Sequence, residues 1–152
     1  MNDFTKIAAV KNNMHDIQEE IVAEFELYDD WMDKYNYLIE LSKDLPLIDE
    51  KLKVTENLIN GCQSKVWLNA DYKDGLILFS ADSDAIITKG IISLLIRVLS
   101  KRTPKEIMEA DLYFIDRIGL RQNLSPTRSN GLLSMIKQIK LYALAYHTKY
   151  EG

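Results

Sequence analysis

Among the residues able to do chemistry, Cys62 comes first: it is the chain's single cysteine, set in Asn57-Leu58-Ile59-Asn60-Gly61-Cys62-Gln63-Ser64. A thiolate is a strong nucleophile, and its usefulness depends on whether the backbone presents it. Asn60 and Gly61 both tolerate positive φ, so the spacing predicts a turn that displays the thiol among small and amide side chains. One cysteine forms no internal disulfide, nor can it supply the thiolate set of a structural zinc or iron–sulfur site. By composition alone, the commoner role of such a residue is that of a small buried hydrophobe.

Four further residues stand where they could serve that thiol. Gln63 and Ser64 can hydrogen-bond a sulfur anion, or equally their own turn backbone. Asp84 lies in Asp82-Ser83-Asp84, a segment that can cap the helix following it. Arg128, in Ser125-Pro126-Thr127-Arg128-Ser129, stands at a helix start, where it can steer a thiolate or close a salt bridge. His15 and His147 are far from Cys62 in sequence, so a Cys/His pair would need the fold to unite them. Trp67, Tyr35, Tyr37, Tyr113 and Phe114 read as core or rim, with Trp67 packed inward from a strand, and they form no cofactor box. No metal site and no cofactor is predicted.

The elements that must position these groups follow from apolar periodicity. Met14, Ile17, Ile21 and Phe25 predict an amphipathic helix opened by Asn13. Trp31, Tyr35, Leu38 and Ile39 predict a second, running to about Lys43 and stopped by Pro46. Residues 47–56 lack periodicity and read as a surface connection. Two β-rich runs, 66–72 and 76–80, flank an Asp-Gly pair that signals an antiparallel hairpin. Ile86 to Leu99 carries a wide apolar face and predicts the central core helix. Thr103-Pro104-Lys105-Glu106 predicts a capping box and a short helix ending near Ala110, with Leu112, Phe114 and Ile118 adding core. Ser125-Pro126 opens the last helix, with Leu132, Leu133, Ile136, Ile139, Ala143 and Tyr146 at helical spacing. The expected class is α+β, a small antiparallel sheet packed against several helices.

Size and charge set the outer bounds. The chain has 152 residues, 47% apolar and 28% charged, the length of one compact domain over 1–152. A formal charge of −4 offers no general attraction for nucleic acid or anionic lipid. No run of about eighteen apolar residues is present to span a bilayer. The opening residues 1–13 lack a secretory apolar stretch, which predicts a cytoplasmic location.

The string Gly61-Cys62-Gln63-Ser64-Lys65-Val66-Trp67 resembles the signature of the SufE family of sulfur-acceptor proteins. The likeness continues through Asp82-Ser83-Asp84-Ala85, Lys89-Gly90, Leu120 and Leu124-Ser125-Pro126-Thr127-Arg128-Ser129-Asn130-Gly131-Leu132. It covers roughly Trp31 to Ala145, leaving residues 1–30 as a loosely matched N-terminal helical extension. The resemblance implies a SufE/IscU-like fold with the cysteine loop at one end. It implies a sulfur carrier that is not a stand-alone enzyme: a SufS-like cysteine desulfurase delivers sulfane sulfur to Cys62 as a persulfide and is stimulated by the acceptor. A SufBCD-like scaffold complex for iron–sulfur cluster assembly then receives the sulfur. Asp84 and Arg128 match positions that the family places near the loop or the desulfurase contact. Two other readings remain open on sequence: a cluster scaffold, which one cysteine serves poorly, and a helical adaptor in which Cys62 is inert.

Overall fold

The computed structural model describes residues 13–151; the opening residues 1–12, on which the expectation about a secretory segment rests, lie outside them. Helix α1 (Met14–Glu26) starts at Asn13, whose side chain accepts from the Asp16 amide at 2.8 Å. Helix α2 (Trp31–Leu41) is capped in the same way by Asp30, and a 3-10 turn at Ser42–Asp44 ends it before Pro46. These carboxamide and carboxylate caps satisfy amides that have no partner inside the helix.

Strands β1 (Val66–Lys73) and β2 (Leu76–Ser83) form a two-stranded antiparallel sheet, in register from Val66↔Ser83 to Lys73↔Leu76. Asp74 and Gly75 both take positive φ, 54° and 82°, the twist that matches a two-residue hairpin turn to its strands. Val66, Leu68, Ala70, Ile77, Phe79 and Ala81 point inward and are buried. Trp67 therefore faces the other way and is only half-buried, a correction to its expected core position. Side chains alternate across a strand, so Val66 and Leu68 cannot both face the core with Trp67 between them. Its ring instead lies beneath the Lys53 ammonium, 5.5 Å away.

The connection over 47–56, together with Leu58 and Ile59 at the start of the cysteine turn, also departs from the expected surface course. It pairs with both edges of the hairpin: the Ile48 amide donates to the Ala81 carbonyl at 3.0 Å, and Ile59 to the Val66 carbonyl at 2.9 Å. Two strands alone leave two unpaired edges, and this segment closes part of each.

Helix α3 (Ile86–Leu99) is the centre of the core, with Ile91, Ile92, Leu94, Leu95, Ile96, Val98 and Leu99 all nearly inaccessible. Each such side chain contributes about 1.5–3 kcal/mol by leaving water. The expected capping by Asp82-Ser83-Asp84 does not occur as such. Ala85 occupies the cap position without a side-chain bond, although the Ser83 hydroxyl accepts from its amide at 3.2 Å. Helix α4 (Pro104–Glu109) shows the predicted capping box between Thr103 and Glu106. After α5 (Phe114–Arg117) comes the long α6 (Pro126–Tyr150), capped by Ser125. Its buried face runs through Gly131, Leu132, Met135, Ile139 and Ala143, and Leu133 points outward. Among the described residues no helix is long and apolar enough to cross a membrane.

Gly90 lets α2 and α3 touch through their backbones, because a Cβ there would run into the Leu38 carbonyl oxygen. Gly90→Ala is expected to lower stability by about 1–3 kcal/mol, read as a reduced urea midpoint at unchanged m-value. An unchanged midpoint would show that the two helices are not in contact there.

Candidate functional site

Cys62 lies on a turn between Ile59, bonded to Val66, and Lys65, bonded to Asp84. Gly61 carries φ of 92°, the left-handed region open to glycine, and packs so tightly on α6 that a Cβ would meet the Ser134 hydroxyl. At the far end of the loop the Lys65 amide donates to Asp84 Oδ1 at 3.0 Å, and the Asp84 amide donates to the Lys65 carbonyl at 3.2 Å. The Ser83 hydroxyl donates to that same carbonyl at 2.8 Å. Asp84, considered from sequence as a helix cap, is thus a tether for the cysteine loop.

The rest of Asp82-Ser83-Asp84 is anchored from behind. Lys53 Nζ lies 2.5 Å from Asp82 Oδ2 and Lys89 Nζ 3.1 Å from Oδ1. Burial pushes the Asp82 carboxyl up, but bonds from Lys53, the Ser83 amide and Lys89 outweigh it and hold the group below its ordinary value. A charged, doubly paired Asp82 fixes the strand end from which Asp84 reaches the loop.

The thiol points onto α6. Cys62 Sγ donates to the Gly131 carbonyl at 3.7 Å, and a Cβ built on Gly131 would stand 3.6 Å from the sulfur. Glycine at that position lets the sulfur lie against the helix backbone, and a Cβ there would reach ordinary van der Waals contact with it. Burial pushes the half-buried thiol above its ordinary value of 9.0, because the desolvated anion is disfavoured. The resting group is therefore a neutral thiol with an acceptor beside it.

Beside the sulfur lies a small cavity of about 80 Å³, lined by Cys62, Gln63, Ser64, Thr88, Ile91, Thr127, Arg128, Gly131 and Met135. The fold thus brings Gln63, Ser64 and Arg128 to one cavity with Cys62, while Asp84 acts on the loop's end. Arg128 is exposed in the first turn of α6 and makes no ion pair among the described residues. The histidines go elsewhere: His15 Nδ1 shares a 2.9 Å hydrogen bond with Tyr113, and His147 Nδ1 lies 3.4 Å from Glu151. Thr88 and Ser134 were not singled out from sequence, and Gly131 appeared only within the Leu124–Leu132 string. The small-residue pair Gly131 and Ser134, one turn apart on α6, was the available signal. Among the described residues no group of three or more histidine, cysteine or carboxylate side chains is placed to hold a metal ion.

Comparison with known proteins places this site in a family. Residues 19–143 match the model described as SufE, the Fe-S metabolism associated domain. The chain is 39% identical over 127 residues to an uncharacterized SufE-like protein of Rhizobium meliloti, covering 80% of this chain and 91% of that one. It is 38% identical over 134 residues to SufE-like protein 1, chloroplastic/mitochondrial, of Arabidopsis thaliana, covering 88% of this chain and 36% of that longer protein. A solution structure of a hypothetical protein from Thermus thermophilus shares the fold, with a TM-score of 0.71 at 18% identity over 87% of this chain and 96% of that one. The matched region runs from α1 through the cysteine loop and most of α6, and by it this chain belongs to the SufE family, whose domain is associated with iron–sulfur metabolism.

Proposed function

We propose that the protein is a sulfur carrier that holds sulfane sulfur as a persulfide on Cys62, receiving it from a SufS-like cysteine desulfurase and passing it to a SufBCD-like scaffold. The observation that carries this reading is the placement of the chain's one thiol. It sits on a tethered turn, half-buried, beside a cavity with room for one more heavy atom. Family membership supports the setting in iron–sulfur metabolism.

The transfer is an exchange at sulfur. Cys62 first loses its proton to solvent base, and its thiolate then attacks the outer sulfur of the donor's persulfide. The donor's S–S bond breaks, the electron pair leaves on the donor's cysteine sulfur, and a new S–S bond joins the transferred sulfur to Sγ. The raised pKa keeps this from happening at rest, since the neutral thiol is a poor nucleophile. Docking of a desulfurase would lift the turn off Gly131, hydrate the sulfur and ionise it; Arg128 at the cavity would favour the anion and Asp84 would limit the loop's travel. Gln63 and Ser64 supply donors on the solvent side. The protein so acts as substrate and stimulator of its partner, without a turnover of its own.

Two outcomes are expected. The alkylation rate of Cys62 with iodoacetamide should rise with pH at a higher midpoint in the folded protein than in the urea-unfolded chain, because burial raises the thiol. Equal midpoints would remove the resting safeguard. Added to a cysteine desulfurase with excess cysteine, the protein should raise alanine output several-fold, and Cys62→Ser should abolish the increase. Stimulation by Cys62→Ser equal to that of the unaltered protein would favour an inert adaptor.

A further inference from the structure

The cavity beside Cys62 contains a second unusual group. Thr88, in the first turn of α3, is only 6% exposed and lines the cavity, yet its hydroxyl makes no hydrogen bond among the described residues. No buried polar side-chain atom among those residues is sealed off without a partner, so this hydroxyl keeps some accessible surface, and Thr88 is one wall of the cavity. A secluded hydroxyl is costly unless something bonds it, and a helical threonine ordinarily bonds a carbonyl of the preceding turn. The other deep walls are Ile91 and Met135, each 1% exposed, and the backbone of Gly131. The volume of about 80 Å³ exceeds the roughly 10–15 Å³ that one water centre requires, so a single additional sulfur atom fits.

The polarity of the seat matters. At rest the thiol donates to the Gly131 carbonyl, a group that can only accept. Once the outer sulfur is in place as a perthiolate, it carries negative charge and has no proton for that carbonyl. The charge then needs a donor on another wall, and Thr88 is the secluded donor there. We propose that the Thr88 hydroxyl binds the outer sulfur of the Cys62 persulfide, so that the cavity is a seat for the cargo and Thr88 a residue that retains it. This rests on the carrier reading above. In the empty protein the hydroxyl has no partner among the described residues; in the loaded one it is satisfied. A hydrogen-bonded perthiolate is less open to attack by an anionic thiol reductant, since only its protonated form is a good electrophile.

The test loads the protein, Thr88→Val and Thr88→Ser with inorganic polysulfide. The Cys62 thiolate takes one sulfur, and the polysulfide leaves one sulfur shorter. Persulfide decay in a thiol reductant is then followed by intact mass. Thr88→Val keeps the shape and removes the hydroxyl, so decay should be about tenfold faster, with a melting temperature equal to or above that of the parent. Thr88→Ser should restore a lifetime near the parent's. An unchanged lifetime in Thr88→Val, a loss that serine does not rescue, or a parent that retains no sulfur from polysulfide would each overturn the proposal. The carrier reading fails separately: a desulfurase that delivers no sulfur to the parent sinks that reading, while a Thr88-dependent lifetime after polysulfide loading keeps the seat.

Discussion

Much of this structure is arranged so that a turn can lie directly on a helix backbone. Gly61 meets Ser134 and Cys62 meets Gly131, and the first contact exists because Gly61 lacks a Cβ. Such close approach is permitted only where the loop is held at both ends, and here the hairpin and the Asp84 tether hold it. The hairpin is in turn fixed on α3, whose apolar face forms the centre of the core. The paired Asp82 joins the strand end to Lys53 from the connecting segment and to Lys89 of α3. Continuous packing thus runs from the core to the rim of the cysteine loop.

The electrostatic consequence is a thiol kept neutral. A group that reacts only as an anion, placed where the anion is disfavoured, is quiet until something changes its surroundings. That is the behaviour the proposed carrier role asks of Cys62, a thiol that reacts when its surroundings change. The cavity wall offers the thiol a carbonyl acceptor at Gly131 and holds Thr88 nearby.

Helices α1, α3, α4 and α6 and the Asp-Gly hairpin were legible because each has a local cause: periodic apolar residues, caps, or a turn that demands positive φ. The motif around Cys62 was legible as a resemblance, and composition alone would have assigned the thiol to the core. What sequence did not show was set by tertiary pairing. Residues 47–59 have no periodicity of their own and are ordered by the hairpin edges they bond. Trp67 looked apolar enough for the core, but strand alternation with Val66 and Leu68 turned it outward. Asp84 had the right type and place to cap α3, and a backbone amide across the loop claimed it instead. Thr88 was hidden among the apolar residues of α3, since nothing in the pattern tells that a threonine there lines a cavity.

Acceptance of sulfur by Cys62 from a desulfurase is read directly in the intact mass of the protein after incubation with desulfurase and cysteine under non-reducing conditions, followed by peptide mapping. A gain of one sulfur atom is expected, located on the peptide containing Cys62, removed by reductant and absent in Cys62→Ser. A protein that stays at its unmodified mass while the desulfurase turns over would contradict it.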